Sequence, residues 1–357
     1  MKKRLSDHPL YKEDLNLLTH LEFIPWSKLQ GSTLFISGAT GMIGSCLIDA
    51  IMLQNREHNL NCSIYALSRN RNKALSRFNT WGDSPFLHIL EGDVNEIIVS
   101  PEVEHYDYVL HLASNTHPVA YATDPIGTIR ANIIGTQNML ELAVRASAKR
   151  FLFASSNEIY GENRGDQEFF DESYQGYIDC NTLRAGYPES KRCGEALCQA
   201  YRFQRGLDIV IARLTRTFGP TLLLSDTKAF TQFLKNALCG EDIILKSAGN
   251  QYYSYTYVVD AVAGLLTILL KGLNGEAYNV ADASCDIQLK DLAHQIADLS
   301  GTKVIFHLPD SIEAAGFSKA TKARLNGSKV KSLGWYPSFD LKEAISRTLL
   351  ILKDIET

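Results

Sequence analysis

The chain predicts an α/β fold, a doubly wound parallel sheet with a smaller, interleaved C-terminal α/β lobe. Three observations lead there. Short, unbroken apolar runs alternate with segments of helical periodicity, the first run ends in a G-x-x-G-x-x-G turn, and the alternation loosens beyond residue 220. Strands covered on both faces read as continuous apolar runs, whereas strands with one wet face alternate, so these runs imply a parallel sheet between two helical layers.

Residues 1–30 precede the first strand and carry a partly helical pattern (Leu15, Leu17, Leu18, Leu21), an extra layer on the core. Thr33 to Ile36 is the first strand, and the segment Cys46-Leu47-Ile48 with Ala50 and Ile51 is the helix after the glycine turn. Further strands are expected at 62–67, 86–90, 108–113, 150–155 and 207–213, with long helices from Ile126 to Arg145 and from Tyr187 to Gln204. Past that point Pro220, Gly240, Gly249 and Gly272 cut the chain into smaller pieces.

Composition removes several classes of function. The 357 residues are 45% hydrophobic and 21% charged, with a net charge of −4, so no basic footprint for nucleic acid exists. Seven scattered cysteines without a C-x-x-C pair indicate reduced thiols, neither a disulfide frame nor a metal site. No apolar run is long enough to span a membrane, and a cytoplasmic location is expected.

The turn Gly38-Ala39-Thr40-Gly41-Met42-Ile43-Gly44 closes a strand and opens a helix. Glycines there let backbone N–H groups approach a pyrophosphate, and the helix N-terminus adds partial positive charge. A dinucleotide is therefore the expected cofactor. The sheet domain is expected over 31–212, with segments near 250–262 returning to it and 213–357 forming mainly the lobe that holds the substrate. In such sheets ligands sit beyond the carboxyl ends of the strands, and the polar clusters Ser155-Ser156-Asn157-Glu158 and Leu112-Ala113-Ser114 fall at such ends.

A second motif, Tyr187-Pro188-Glu189-Ser190-Lys191, lies downstream of Ser155-Ser156. With the glycine turn it resembles the extended short-chain dehydrogenase/reductase family, the epimerases, dehydratases and decarboxylases of nucleotide sugars. The likeness runs from about residue 31 to the end. It includes Gly92-Asp93-Val94, His111-Leu112-Ala113-Ser114, Asn132 with Gly135-Thr136, Phe218-Gly219-Pro220, Tyr257-Val258-Val259-Asp260 and Leu333-Gly334-Trp335. The stretch from His111 to Gly161, and Arg184 three residues before Tyr187, look most like UDP-glucuronate decarboxylases.

That resemblance implies a Rossmann domain binding NAD or NADP through Gly38, Thr40, Gly41, Met42, Ile43, Gly44, Ser68, Arg69, Asp93, Val94, Leu112, Ala113, Ser114, Asn132, Ser155, Tyr187 and Lys191. It implies Tyr187 as general base at a sugar hydroxyl, usually at C4, while the C4 hydride passes to the cofactor. Lys191, one helical turn away, is expected to favour the phenolate. Ser156 is expected to bond the same sugar oxygen, with Ser155 in support. Glu158 is expected beside C5 and C6, where a C4 ketone acidifies the C5 proton or accepts electrons from a departing carboxylate. Asn157 stands where dTDP-glucose-type dehydratases carry an acid. An amide cannot donate a proton to a leaving hydroxyl, which favours decarboxylation over dehydration, with epimerisation third. A silent dinucleotide-binding regulator is the remote alternative.

Three departures shape the remaining expectations. Ser68 replaces the aspartate that bonds the adenosine ribose in many relatives, and Arg69 behind it leans towards the 2′-phosphate of NADP. Arg216 stands where an asparagine is usual and Tyr253 where an arginine is usual, so a phosphate contact is expected to have moved. Arg184, by its planar fork, is expected to hold a substrate carboxylate or diphosphate unless it makes a surface salt bridge. Relatives pair through helices flanking the sheet, and Leu197, Ala200 and Phe203 give the Tyr187 helix apolar surface, so a homodimer is expected.

Overall fold

The computed structural model describes residues 4–97, 104–116, 118–307 and 321–356. Its main sheet has seven strands, β1 (Thr33–Ser37), β2 (Ser63–Ser68), β3 (Leu87–Glu91), β4 (Tyr108–His111), β5 (Arg150–Ser156), β6 (Ile209–Leu214) and a late strand, Ala277–Val280, beside β6. In space they run Ala277–Val280, β6, β5, β4, β1, β2, β3, and every neighbouring pair is parallel. The doubly wound parallel sheet is thus the observed fold. The order reverses between β1 and β4, which opens a crevice at their carboxyl ends.

Helices cover both faces, as strands of this composition require. On one side lie α1 (Pro9–Thr19) and α2 (Met42–His58). Tyr11 of α1 reaches into α2, donating to Asp49 Oδ2 at 2.7 Å, and Asp49 also takes Trp81 Nε1 at 2.8 Å and Arg77 Nη2 at 2.6 Å. A buried carboxylate satisfied by three donors ties the N-terminal layer to the core. The other face is covered by the long helices Pro125–Arg145 and Gly186–Arg205, packed on Phe35, Val109, Phe151 and Phe153.

Beyond residue 214 the chain builds a four-stranded sheet from Arg216–Phe218, Tyr252–Tyr257, Asp286–Gln288 and Lys322–Ala323, and a two-stranded one from Ile243–Leu245 and Val304–Phe306. Helix Val258–Lys271, buried along its length, packs back on α2, β5 and β6 before the chain enters the seventh strand. The small sheet therefore hangs over the carboxyl ends of β5 and β6, with Arg216 two residues past the end of β6.

Candidate active site

The glycine turn is held by backbone contact with the end of β4. Gly38 has φ +70°, and a Cβ there would lie 2.6 Å from Ala113 N and from the Leu112 carbonyl carbon. A Cβ on Gly44 would meet Gly38 O at 2.4 Å. Both positions need glycine, one for its left-handed backbone and both for the close approach. No side chain caps α2, and Thr40, Gly41, Met42 and Ile43 are part-exposed. The first N–H groups of α2 are thus left to a ligand, and the dipole favours an anion there. These residues fit the pyrophosphate of a dinucleotide.

Ser37 and His111 lie beneath that turn. His111 Nδ1 is 2.7 Å from Ser37 Oγ, which also takes Ala113 N at 3.4 Å. Complete burial and the nearby Lys191 charge hold the imidazole down at about 3, so it is neutral. The sequence offers His111 only as part of a motif; its role as a prop is set by Ser37, 74 residues away in the chain.

At the end of β2, Ser68 Oγ folds onto its own turn, donating to Asn70 O at 3.1 Å and accepting from Asn70 N at 3.3 Å. Arg69 is exposed, while Arg71 is committed to Ile89 O at 2.6 Å. Asp93 accepts from Asn95 N at 2.8 Å and Nδ2 at 2.9 Å, and Val94 is buried against Gly135.

β5 delivers the next cluster. Ser156 ends the strand and caps the 3₁₀ turn Asn157–Tyr160, its Oγ accepting from Glu158 N at 3.2 Å. Tyr187, in the first turn of helix Gly186–Arg205, is buried, with Ser156 and Ser114 close enough to its phenol to act on its ionisation. Ser114 in turn donates to Asn132 Oδ1 at 2.8 Å, and Asn132 Nδ2 to Ser190 Oγ at 3.0 Å. Tyr121 stacks on the Tyr187 ring with centroids 5.0 Å apart. Burial first, then the Glu158 carboxylate, push the Tyr187 phenol well above the usual tyrosine range. The phenol is protonated in the protein alone.

Lys191 is 2% exposed; its Nζ donates to Ala154 O at 2.9 Å and lies over the Phe153 ring. Burial lowers it to about 8. The expected help from Lys191 to the phenolate is opposed here by desolvation of both groups, which favours the uncharged form of each.

The structure separates the two serines. Ser155 Oγ donates to Glu195 Oε1 at 2.5 Å, one turn past Lys191 on the same helix, and Glu195 holds Arg213 through Nε at 3.0 Å and Nη2 at 2.7 Å. Arg213 Nη1 then reaches Tyr160 at 2.9 Å and Glu172 O at 2.7 Å. Ser155 is thereby turned into a structural network rather than towards the crevice. Asn157 is buried beside Ser156, with Oδ1 3.5 Å from Ser156 Oγ.

Glu158 faces Arg184, whose Nη2 donates to both carboxylate oxygens at 2.8 and 2.7 Å. The guanidinium lies 4.8 Å above the Tyr121 ring, so Tyr187, Tyr121, Arg184 and Glu158 form one continuous contact chain. Arg216 lies flat on Tyr253, with its guanidinium carbon 3.4 Å from the ring centroid. Burial raises the Tyr253 hydroxyl, while Arg216 lowers it, Glu158 raises it further and Arg184 lowers it.

With this geometry in place, the family model for "NAD dependent epimerase/dehydratase family" matches residues 34–281. The chain belongs to that family. Among epimerase/dehydratase relatives, UDP-glucuronic acid decarboxylase 3 of Arabidopsis thaliana is 31% identical over 316 residues, 87% of this chain and 86% of that one. UDP-glucuronic acid decarboxylase 1 of Xenopus tropicalis is 31% identical over 318 residues, 88% of this chain and 71% of that one. The fold is shared with a dTDP-glucose 4,6-dehydratase from Streptomyces venezuelae solved with NAD bound, at TM-score 0.77 and 22% identity, covering 90% and 97% of the two chains. It is shared equally with a UDP-glucuronic acid 4-epimerase from Bacillus cereus in complex with UDP-glucuronic acid and NAD, at TM-score 0.77 and 20% identity, covering 90% and 99%. Among the described residues no helix is long and apolar enough to cross a membrane.

Proposed function

We propose that the protein modifies a nucleotide sugar by transient oxidation at C4, with loss of the C6 carboxylate of a nucleotide uronate as the net reaction. The observation that carries this reading is the contact chain from the buried Tyr187 through Tyr121 and Arg184 to Glu158. A bound nicotinamide dinucleotide supplies a hydride acceptor that returns the hydride at the end of the cycle. Tyr187 takes the C4 hydroxyl proton, and Ser156 orients that oxygen. Ser114 is held by Asn132, and Asn132 by Ser190, whose hydroxyl donates to the Tyr187 backbone carbonyl, so the start of the Tyr187 helix is fixed while the phenol changes charge. Lys191, one helical turn from Tyr187 with its ammonium on Ala154 O, supplies the positive charge that favours the phenolate against the desolvation of the pair.

Glu158 then stands at C5 and C6 as the carboxylate that manages the C5 proton, with Asn157, Arg184, Arg216 and Tyr253 holding the substrate. The 31% identity to UDP-glucuronic acid decarboxylases over most of the chain supports decarboxylation. The test is incubation with UDP-, GDP-, CDP- and dTDP-sugars, UDP-glucuronate included, read by mass spectrometry. Loss of carbon dioxide is the expected result. Loss of water would mark a dehydratase, and an unchanged mass with altered NMR couplings an epimerase.

Three finer readings belong to the same proposal. The exposed Arg69 and the absence of a carboxylate at Ser68 support NADP over NAD, checked by the dinucleotide that co-purifies. Phe203, 90% exposed on the Tyr187 helix, supports a homodimer, checked by light scattering. A cytoplasmic setting suits the seven free cysteines.

A further inference from the structure

Two guanidiniums, Arg184 on Glu158 and Arg216 on Tyr253, are incompletely used. Arg184 spends Nη2 on both oxygens of Glu158, while its Nη1 is buried without a partner. Arg216 is fixed by stacking on Tyr253 rather than by an acid, and its Nη1 is likewise buried without a partner. A buried charged donor that lacks an acceptor is unfavourable, and packing alone gives no reason for two of them. The strand pairing keeps Arg216 in place, because Arg216 stands opposite Tyr255 and Tyr253 projects from the same face two residues away. Arg184, Arg216 and Glu158 together carry two positive charges and one negative, all within electrostatic reach of the Tyr253 hydroxyl.

We propose that Arg216, with Arg184, forms a two-guanidinium seat for an oxyanion on the sugar itself, and that this seat selects acidic sugars over neutral hexoses. The inference rests on the nucleotide-sugar reading of the pocket and adds to it which end of the substrate the unusual arginine serves. The expectation from sequence was a relocated phosphate contact. In the structure Arg216 stacks on Tyr253, whose phenol also feels Glu158 and Arg184, the pair that leads through Tyr121 to Tyr187. A carboxylate on the sugar neutralises the surplus charge and satisfies the open N–H groups; a hydroxymethyl group does neither. A guanidinium suits this task because its planar fork offers two parallel donors.

The diphosphate is the other oxyanion a nucleotide sugar carries, and the test separates the two. Dissociation constants are measured by calorimetry for UDP-glucuronate, UDP-glucose and UDP, on the dinucleotide-loaded Tyr187→Phe protein so that no turnover occurs. On that background UDP-glucuronate is expected to bind about 10- to 100-fold more tightly than UDP-glucose. Adding Arg216→Gln is expected to remove the preference while leaving UDP and UDP-glucose unchanged, and Arg216→Lys to restore part of it. An equal loss for all three ligands would assign the guanidinium to the diphosphate and overturn the proposal. So would a parent protein with no preference. If that parent's wild type still oxidises nucleotide sugars, the seat alone fails; if no nucleotide sugar binds or reacts, the functional reading fails with it. Unchanged circular dichroism of each variant shows that folding is intact.

Discussion

Two carboxylate–guanidinium pairs flank the end of β5, and they differ in how completely they are closed. Glu195 and Arg213 are 13% and 7% exposed, and the nitrogens of Arg213 are taken up by Glu195, Tyr160 and the Glu172 carbonyl. Glu158 and Arg184 are 23% and 25% exposed, and one amino group of Arg184 is left buried and open. The same chemical pair thus serves two ends. A closed network fixes β5 against the Tyr187 helix, whereas an open one awaits a partner from outside the chain. Ser155 and Ser156, adjacent in sequence, fall on opposite sides of that divide because successive strand residues point to opposite faces.

The contrast is most sharply broken at the open side. Tyr187→Phe is expected to lower kcat by about 10²- to 10⁴-fold, the usual worth of a positioned general base, with thermal stability unchanged. Glu158→Gln is expected to abolish net conversion by about 10²-fold or more, while C4 oxidation persists. A variant that turns over normally would remove Glu158 from the chemistry.

The closed side predicts a different readout. Arg213→Ala strands a buried Glu195 and is expected to cost about 3–5 kcal/mol in urea unfolding. Arg184→Ala, breaking the more open pair, is expected to cost no more than about 1 kcal/mol and to act on substrate binding instead. Equal stability losses in both variants would erase the distinction.

A pH-dependent effect concerns Lys191, a buried ammonium near the closed network. Its folded form titrates at about 8 against 10.5 for the free side chain, because of desolvation. Between those values the folded state has released the proton and the unfolded state still holds it, so stability rises with pH there. Relative to Lys191→Met, the wild type is expected to gain stability as pH rises from 8 towards 10.5, measured by denaturant titration at each pH.

The sheet, the glycine turn and the Tyr187–Lys191 helix were legible in sequence because each rests on short-range pattern: unbroken apolar runs, glycines at fixed spacing, an i,i+4 pair. The strands lie within two residues of their expected starts for that reason. What was not legible depends on long-range pairing. The bond of Ser155 to Glu195, 40 residues on, and that of Arg184 to Glu158, 26 residues earlier, follow from no local pattern. The small second sheet is not legible as such because three of its four strands are only two or three residues long, too short for periodicity to register. Arg216 and Tyr253 could be flagged as unusual, but only pairing of their strands stacks one on the other.

The central claim is that Tyr187 and Glu158 act on one sugar in two separable steps. The most direct measurement mixes Glu158→Gln protein, carrying its dinucleotide, with UDP-glucuronate and follows the near-ultraviolet absorbance of reduced nicotinamide. A sustained rise, with the carboxylate retained in the recovered sugar, is the predicted result. A flat trace, or decarboxylated product formed at the wild-type rate, would contradict it.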